Sequence, residues 1–134
     1  MPHPPSPYPF LSSHPGELGQ VTLLGAPLDC TGSFRPGSAQ GPSGVRWASE
    51  NLETYSPLLD RDLEDMLIGD IGDLELGGLL VPAALAAIED ETGKLLDCGT
   101  VPFLLGGEHT IALPIARAVF ARFPDACILH FDAH

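Results

Sequence analysis

Short apolar runs recur along the chain with polar, glycine-rich or proline-rich stretches between them. Val21-Thr22-Leu23-Leu24, closed by Gly25-Ala26-Pro27, has the length and β-branched content of a buried parallel strand. Met66-Leu67-Ile68-Gly69-Asp70-Ile71-Gly72-Asp73 reads as a second strand running into a turn. Val101 to Leu105 reads as a third, and the run Ala126 to Phe131 as a fourth. Between them the period changes. Leu80, Ala84, Ile88 and Leu95 recur at helical spacing and leave Glu89, Asp90 and Lys94 toward water, which predicts a long crossover helix from Pro82 to near Gly99. Pro82 suits a first helical turn, where its missing N–H needs no partner. Thr110 to Phe123 predicts another helix, with Pro114 tolerable because it lies close to the start.

Strand, helix, strand, helix, strand is a doubly wound α/β pattern whose right-handed crossovers bring the carboxyl ends of all strands to one rim. Leu28 to Gly44, rich in Gly, Pro, Ser and Thr, follows the first strand and is expected to border the site at that rim. Within it, Asp29 reads as a turn former or loop anchor. Arg46 is expected to tie this loop to the following helix through a carboxylate, and Trp47, in the helix beginning near Pro42, to pack. Asn51 to Asp60 reads as loop. Residues 1–18 form a Pro-rich arm, expected neither to join a ladder nor to form a helix, and residues 19–134 read as one domain.

Composition narrows the class of partner. Eighteen acidic against six basic residues give a formal net charge of −12, which argues against nucleic acid and anionic membranes as partners. An acidic surface suits a cationic substrate, although acidic excess more often reflects solubility. Cys30, Cys98 and Cys127 have no metal-like spacing and an odd number cannot pair completely, so reduced cytoplasmic thiols are expected. Met1 to Gly16 contain no Lys or Arg and no apolar stretch of signal-peptide length, so a cytoplasmic protein is expected.

The chemistry lies at two strand ends. In extended backbone Asp132 and His134 leave on one side and Phe131 and Ala133 on the other, so one face can hold a cation while the other packs. Val101 to Leu105 delivers Gly106-Gly107-Glu108-His109-Thr110 in the same way. Two strands with donors at equivalent places can aim them at one point, which makes His109, Asp132 and His134 a candidate metal site. Glu108 reads as a hydrogen-bonding residue behind the ligands. His130 shares a face with Asp132 and His134 but reads first as a satisfied core histidine, with a supporting place behind the ligands as the alternative. Oxygen-rich coordination favours manganese over zinc.

Gly-Gly-Glu-His-Thr at 106–110 followed by Phe-Asp-Ala-His at 131–134 resembles the ureohydrolase family, the arginases, agmatinases and their relatives. Residues 25–57 and Asp70-Ile-Gly-Asp73 resemble the agmatinase branch, and the resemblance covers roughly residues 20–134 and implies that Asp70 and Asp73 are structural near the site. It implies a three-layer α/β/α domain around a mostly parallel sheet, of which this chain supplies about half as the amino-terminal portion of a larger enzyme. It also implies two Mn2+ ions and a small cationic guanidino substrate cleaved to urea, most of all agmatine, within a homo-oligomer. His109 would then serve one ion, His134 the other, and Asp132 both. The acid for the departing amine would lie beyond residue 134. Arginase, guanidinobutyrase and formiminoglutamase chemistry share that scaffold, and a non-catalytic remnant acting through subunit contacts is the alternative of a different class.

Overall fold

A computed structural model describes residues 8–133 of the chain. Its elements in chain order are β1 (His14–Pro15), β2 (Val21–Ala26), α1 (Gly41–Ser49), β3 (Tyr55–Ser56), β4 (Arg61–Asp62), β5 (Ile68–Asp73), α2 (Val81–Asp97), β6 (Val101–Gly106) and α3 (Ala112–Phe120). Short 3-10 turns cover Ser38–Gln40, Leu63–Asp65 and His109–Ile111. The main sheet is parallel throughout, in the order β1-β5-β2-β6.

β2 lies between β5 and β6, so the chain crosses to one side of it through α1 and then back past it through α2. Right-handed crossovers in opposite directions put the two helices on opposite faces, which makes the three layers. Alternation along the strands sorts the side chains accordingly. Leu24 and Ala26 join Ala84, Ile88, Leu95 and Ile111 in a core between the sheet and the helical layer of α2 and α3. Leu23, Ile68 and Leu105 face the other way, against Phe10 and Leu63. Thr22 is also fully buried, and its hydroxyl meets that of Thr100 at 2.7 Å. Gly19 N–H donates to Thr22 Oγ1 at 3.1 Å and Thr100 Oγ1 donates to the Gly19 carbonyl at 2.6 Å, which satisfies a polar group in every direction.

The predicted strands and helices stand, with several corrections. The proline-rich arm does join a ladder: His14 and Pro15 pair with Gly69 and Asp70 at the sheet edge, where proline's missing N–H is harmless. The 51–60 loop contains half of a small antiparallel pair, β3 with β4. Leu80 is 80% exposed instead of buried, because it stands at the extended N-cap of α2 (φ −67°, ψ 149°) and leaves the helical period there. Trp47 does not pack inside but is 61% exposed. The last predicted helix begins with the 3-10 turn and its α-helical part ends at Phe120. Among the described residues the fourth strand is absent. Residues 126–133 make no ladder, and Ile128, Leu129 and Phe131 are exposed, since apolar sequence supplies strand propensity but a strand also needs a hydrogen-bonded neighbour.

Candidate metal centre

The carboxyl ends of β2, β5 and β6 form one rim, and the topological switch at β2 opens a crevice there. The ladder between β2 and β6 continues past both strands. Gly107 N–H donates to the Ala26 carbonyl at 3.1 Å and Glu108 N–H to the Leu28 carbonyl at 3.1 Å. A side chain at position 107 would stand 2.2 Å from the Leu28 oxygen, so only glycine permits this approach. The backbone carrying His109 is thus registered against the loop that leaves β2.

Glu108 fastens that loop. Its buried carboxylate accepts the Thr31 N–H at 2.7 Å and also the Thr31 hydroxyl, which in turn meets the Thr110 hydroxyl at 2.8 Å. Burial alone would push the Glu108 carboxyl upward, but hydrogen bonds from the Thr31 hydroxyl and from the N–H groups of Thr31, Gly32 and Cys30 outweigh it and hold it below the ordinary range. The Thr110 hydroxyl is therefore engaged with Thr31 and caps no helix. Farther along the loop Asp29 accepts the Gly37 N–H at 2.7 Å, the anchoring role expected for it. The loop and Glu108 enclose an open cavity of about 240 Å³.

His109, on the 3-10 turn after β6, points an imidazole toward Asp132. Nδ1 of His109 lies 3.4 Å from Asp132 Oδ2, and Nε2 of His130 lies 3.2 Å from the same oxygen. The imidazoles of His109 and His130 meet edge to face with centroids 5.0 Å apart. One donor atom from each of the three residues lies within 4.8 Å of the others. The Asp132 side chain is 18% exposed, against 52% for His109 and 57% for His130, so the carboxylate is the covered centre of an accessible group. Two imidazoles and a carboxylate converging on one point fit a first-row divalent ion.

Of the residues marked by sequence, His109 and Asp132 are brought together, and His134 lies outside the described residues. His130 is no core histidine; it is exposed and stands in the cluster. Its two-residue spacing from Asp132 is the signal that identifies it. Thr31 carried no such signal, since its partner lies 77 residues away.

Arg46 does not join the loop to a helix as expected. It reaches from α1 into the sheet layer, where Nε and Nη2 bind the two oxygens of Asp70 at 2.8 Å each and Nη1 binds Asp73 at 2.5 Å. Asp70 and Asp73 are accordingly held as structural carboxylates beside the rim. No helix among the described residues is long and apolar enough to cross a membrane.

Comparison with known proteins bears on the same features. The family model described as "Arginase family" matches residues 19–134. An agmatinase from Bacillus anthracis is 45% identical over 126 residues, which cover 93% of this chain and 43% of that protein. The crystal structure of a putative agmatinase from Clostridium difficile superposes with a TM-score of 0.81 at 42% identity, over 87% of this chain and 42% of that one. Formiminoglutamase from Trypanosoma cruzi, in a structure described with Mn2+, aligns with a TM-score of 0.68 at 26% identity, over 78% and 37% of the two chains. The chain thus spans under half the length of the relatives it matches. The parallel sheet, the glycine-bounded His109 turn at its rim and the match over residues 19–134 agree, and the chain belongs to the arginase family.

Proposed function

We propose that this chain carries the amino-terminal share of a manganese-dependent ureohydrolase site, acting on agmatine to yield putrescine and urea. The observation that carries the reading is the convergence of His109, His130 and Asp132 at the strand rim of an arginase-family sheet. The agmatinases among its relatives support the choice of substrate.

His109 and Asp132 would hold metal, joined by His134 outside the described residues. Bound metal would supply Lewis-acid activation of water for attack on the weakly electrophilic guanidino carbon. This chain's own residues then have distinct tasks. Asp132 sets its carboxylate between two imidazoles. His109 is placed by the backbone register of Gly107 and Glu108 against β2. Glu108 fastens the neighbouring loop through Thr31. The acidic surface favours approach of a cationic guanidinium compound. We place the protein in the cytoplasm and expect it to assemble as a homo-oligomer.

Urea release from agmatine, arginine and guanidinobutyrate, with Mn2+ added or chelated, tests the reading. Metal-dependent turnover highest on agmatine is expected, and His109→Ala and Asp132→Asn should each lower both bound manganese and turnover. Retention of full manganese by both variants would remove these residues from the ligand set. Metal-loaded protein inert on all three compounds would end the hydrolase reading.

A further inference from the structure

Resting on the ureohydrolase reading, we propose that Glu108 is a positioning residue that fixes the cavity of the Asp29–Pro36 loop beside His109, and that this cavity holds the part of the substrate remote from the reacting carbon. Three observations lead there. The loop crosses the rim directly beside the His109 turn, because Glu108 N–H and Gly107 N–H are bonded to its first residues and to the end of β2. The Glu108 carboxylate is nearly filled by donors from Thr31, and Gly32 leaves it room: a Cβ there would stand 2.9 Å from Glu108 Oε1. Beyond this clasp the loop encloses a polar cavity of about 240 Å³ between Asp29, Phe34, Arg35 and Glu108, large enough for a short chain with a polar end.

The cavity's floor is also its fastening. Arg35 lies over the Phe34 ring at 5.0 Å, and with Asp29 and Glu108 both lining the cavity the carboxylates outnumber that one cation, which suits a remote ammonium; Asp29 is also bound to Gly37 at the loop's far end. Loosening Glu108 would let the wall drift without displacing the backbone of β6. A positioned loop of this kind acts on binding of the remote group, and its loss is read in KM more than in kcat.

The test uses the intact protein and two variants, Glu108→Ala and Thr31→Val, the second removing only a hydroxyl well away from the metal ligands in sequence. Amide hydrogen exchange of the 28–37 peptide should rise about tenfold or more in Glu108→Ala, the factor contributed by hydrogen bonds to a charged group, with exchange in α2 unaltered. Thr31→Val should move the same peptide in the same direction by less. KM for agmatine should rise by about tenfold with a smaller change in kcat. Mn2+ titrated into the metal-free protein should bind both variants nearly as it binds the parent. A fall of about 10–100-fold in Mn2+ affinity with unchanged exchange at 28–37 would make Glu108 a support for the metal ligands and overturn the proposal. Unchanged exchange in both variants would overturn it as well. Should the parent release no urea, the hydrolase reading fails together with the substrate half of this proposal, while exchange still decides whether Glu108 fastens the loop.

Discussion

Asp70→Asn tests the energetic centre of the fold. Arg46 is completely buried and sits in a bidentate clasp with Asp70, a bond to Asp73 and a further bond from Nη2 to the Gly72 carbonyl at 3.1 Å. Asp70 also accepts the N–H of Phe10 at 3.0 Å and of Gly72 at 3.1 Å. One carboxylate thereby joins α1, β5 and the amino-terminal arm. Neutralising it leaves the guanidinium buried with Asp73, whose side chain is 30% exposed, and turns an amide N–H2 toward a donor. Breaking a buried pair on one side costs about 3–5 kcal/mol. With a urea dependence of about 1–3 kcal/mol per molar, the midpoint should fall by about 2 M.

The pH dependence follows from the same contacts. Burial pushes the Asp70 carboxyl upward, but the hydrogen bonds from Arg46, Phe10 and Gly72 and the Arg46 charge pull it down further, so it lies below the ordinary carboxylate range when folded. A depressed carboxyl contributes stability that is fully present above its unfolded value, about 3.9, and is lost as pH falls through the folded value. The difference in unfolding free energy between parent and Asp70→Asn should be constant near neutrality and shrink only below about pH 4. Urea titrations followed by circular dichroism across that range measure it. A loss below about 1 kcal/mol, the level of an exposed pair, would show that water screens the cluster and would refute the argument.

Thr22→Val should cost about 1–3 kcal/mol by orphaning the Gly19 N–H, whereas Thr22→Ser should recover most of it; thermal unfolding of both variants distinguishes this from a packing effect. Gly107→Ala should destabilise by about 1–3 kcal/mol or more through overlap with the Leu28 carbonyl, and should also lower manganese binding because the overlap displaces the His109 turn; scanning calorimetry reads the first and titration calorimetry the second. Saturating Mn2+ should slow amide exchange more in residues 126–133, which have no ladder, than in residues 101–106, which already have one; equal protection would count against Asp132 as a ligand.

Sequence made legible whatever depends on local period or on a strand's direction. Ala84, Ile88 and Leu95 repeat because one face of α2 meets the sheet, and each is buried as that repeat requires. Leu80 broke the pattern because capping geometry, which has no hydrophobic signature, turned it outward. Asp70 and Asp73 were readable as structural, yet their shared partner was not: Arg46 lies 24 and 27 residues earlier, and nothing in its surroundings marks it as fully buried. Charge is the misleading cue there, since a buried guanidinium is stable only where several acceptors converge, and convergence is a property of the fold. The Pro-rich arm misled for the opposite reason. Its prolines deny it a central place in a sheet, but an edge position needs only one side of the strand to bond.

The candidate centre unites two kinds of order, and this explains why its members were unequally readable. His109 is placed by backbone: the β2–β6 ladder runs on through Gly107 and Glu108, so its position follows once the parallel sheet is inferred. Asp132 and His130 stand on residues without a ladder and meet His109 at the rim through their side chains. Period-two alternation told which of their side chains share a face, and set His130 beside Asp132; it was the usual fate of a histidine in an apolar run that assigned it to a core, which this segment does not enter. Ile128, Leu129 and Phe131 beside it are exposed, and the imidazole, itself 57% exposed, lies 3.2 Å from the Asp132 carboxylate. A histidine that borders a carboxylate and a second imidazole in the open has lost the reason for being read as a filler of the core and has acquired the surroundings of a group that serves a cation.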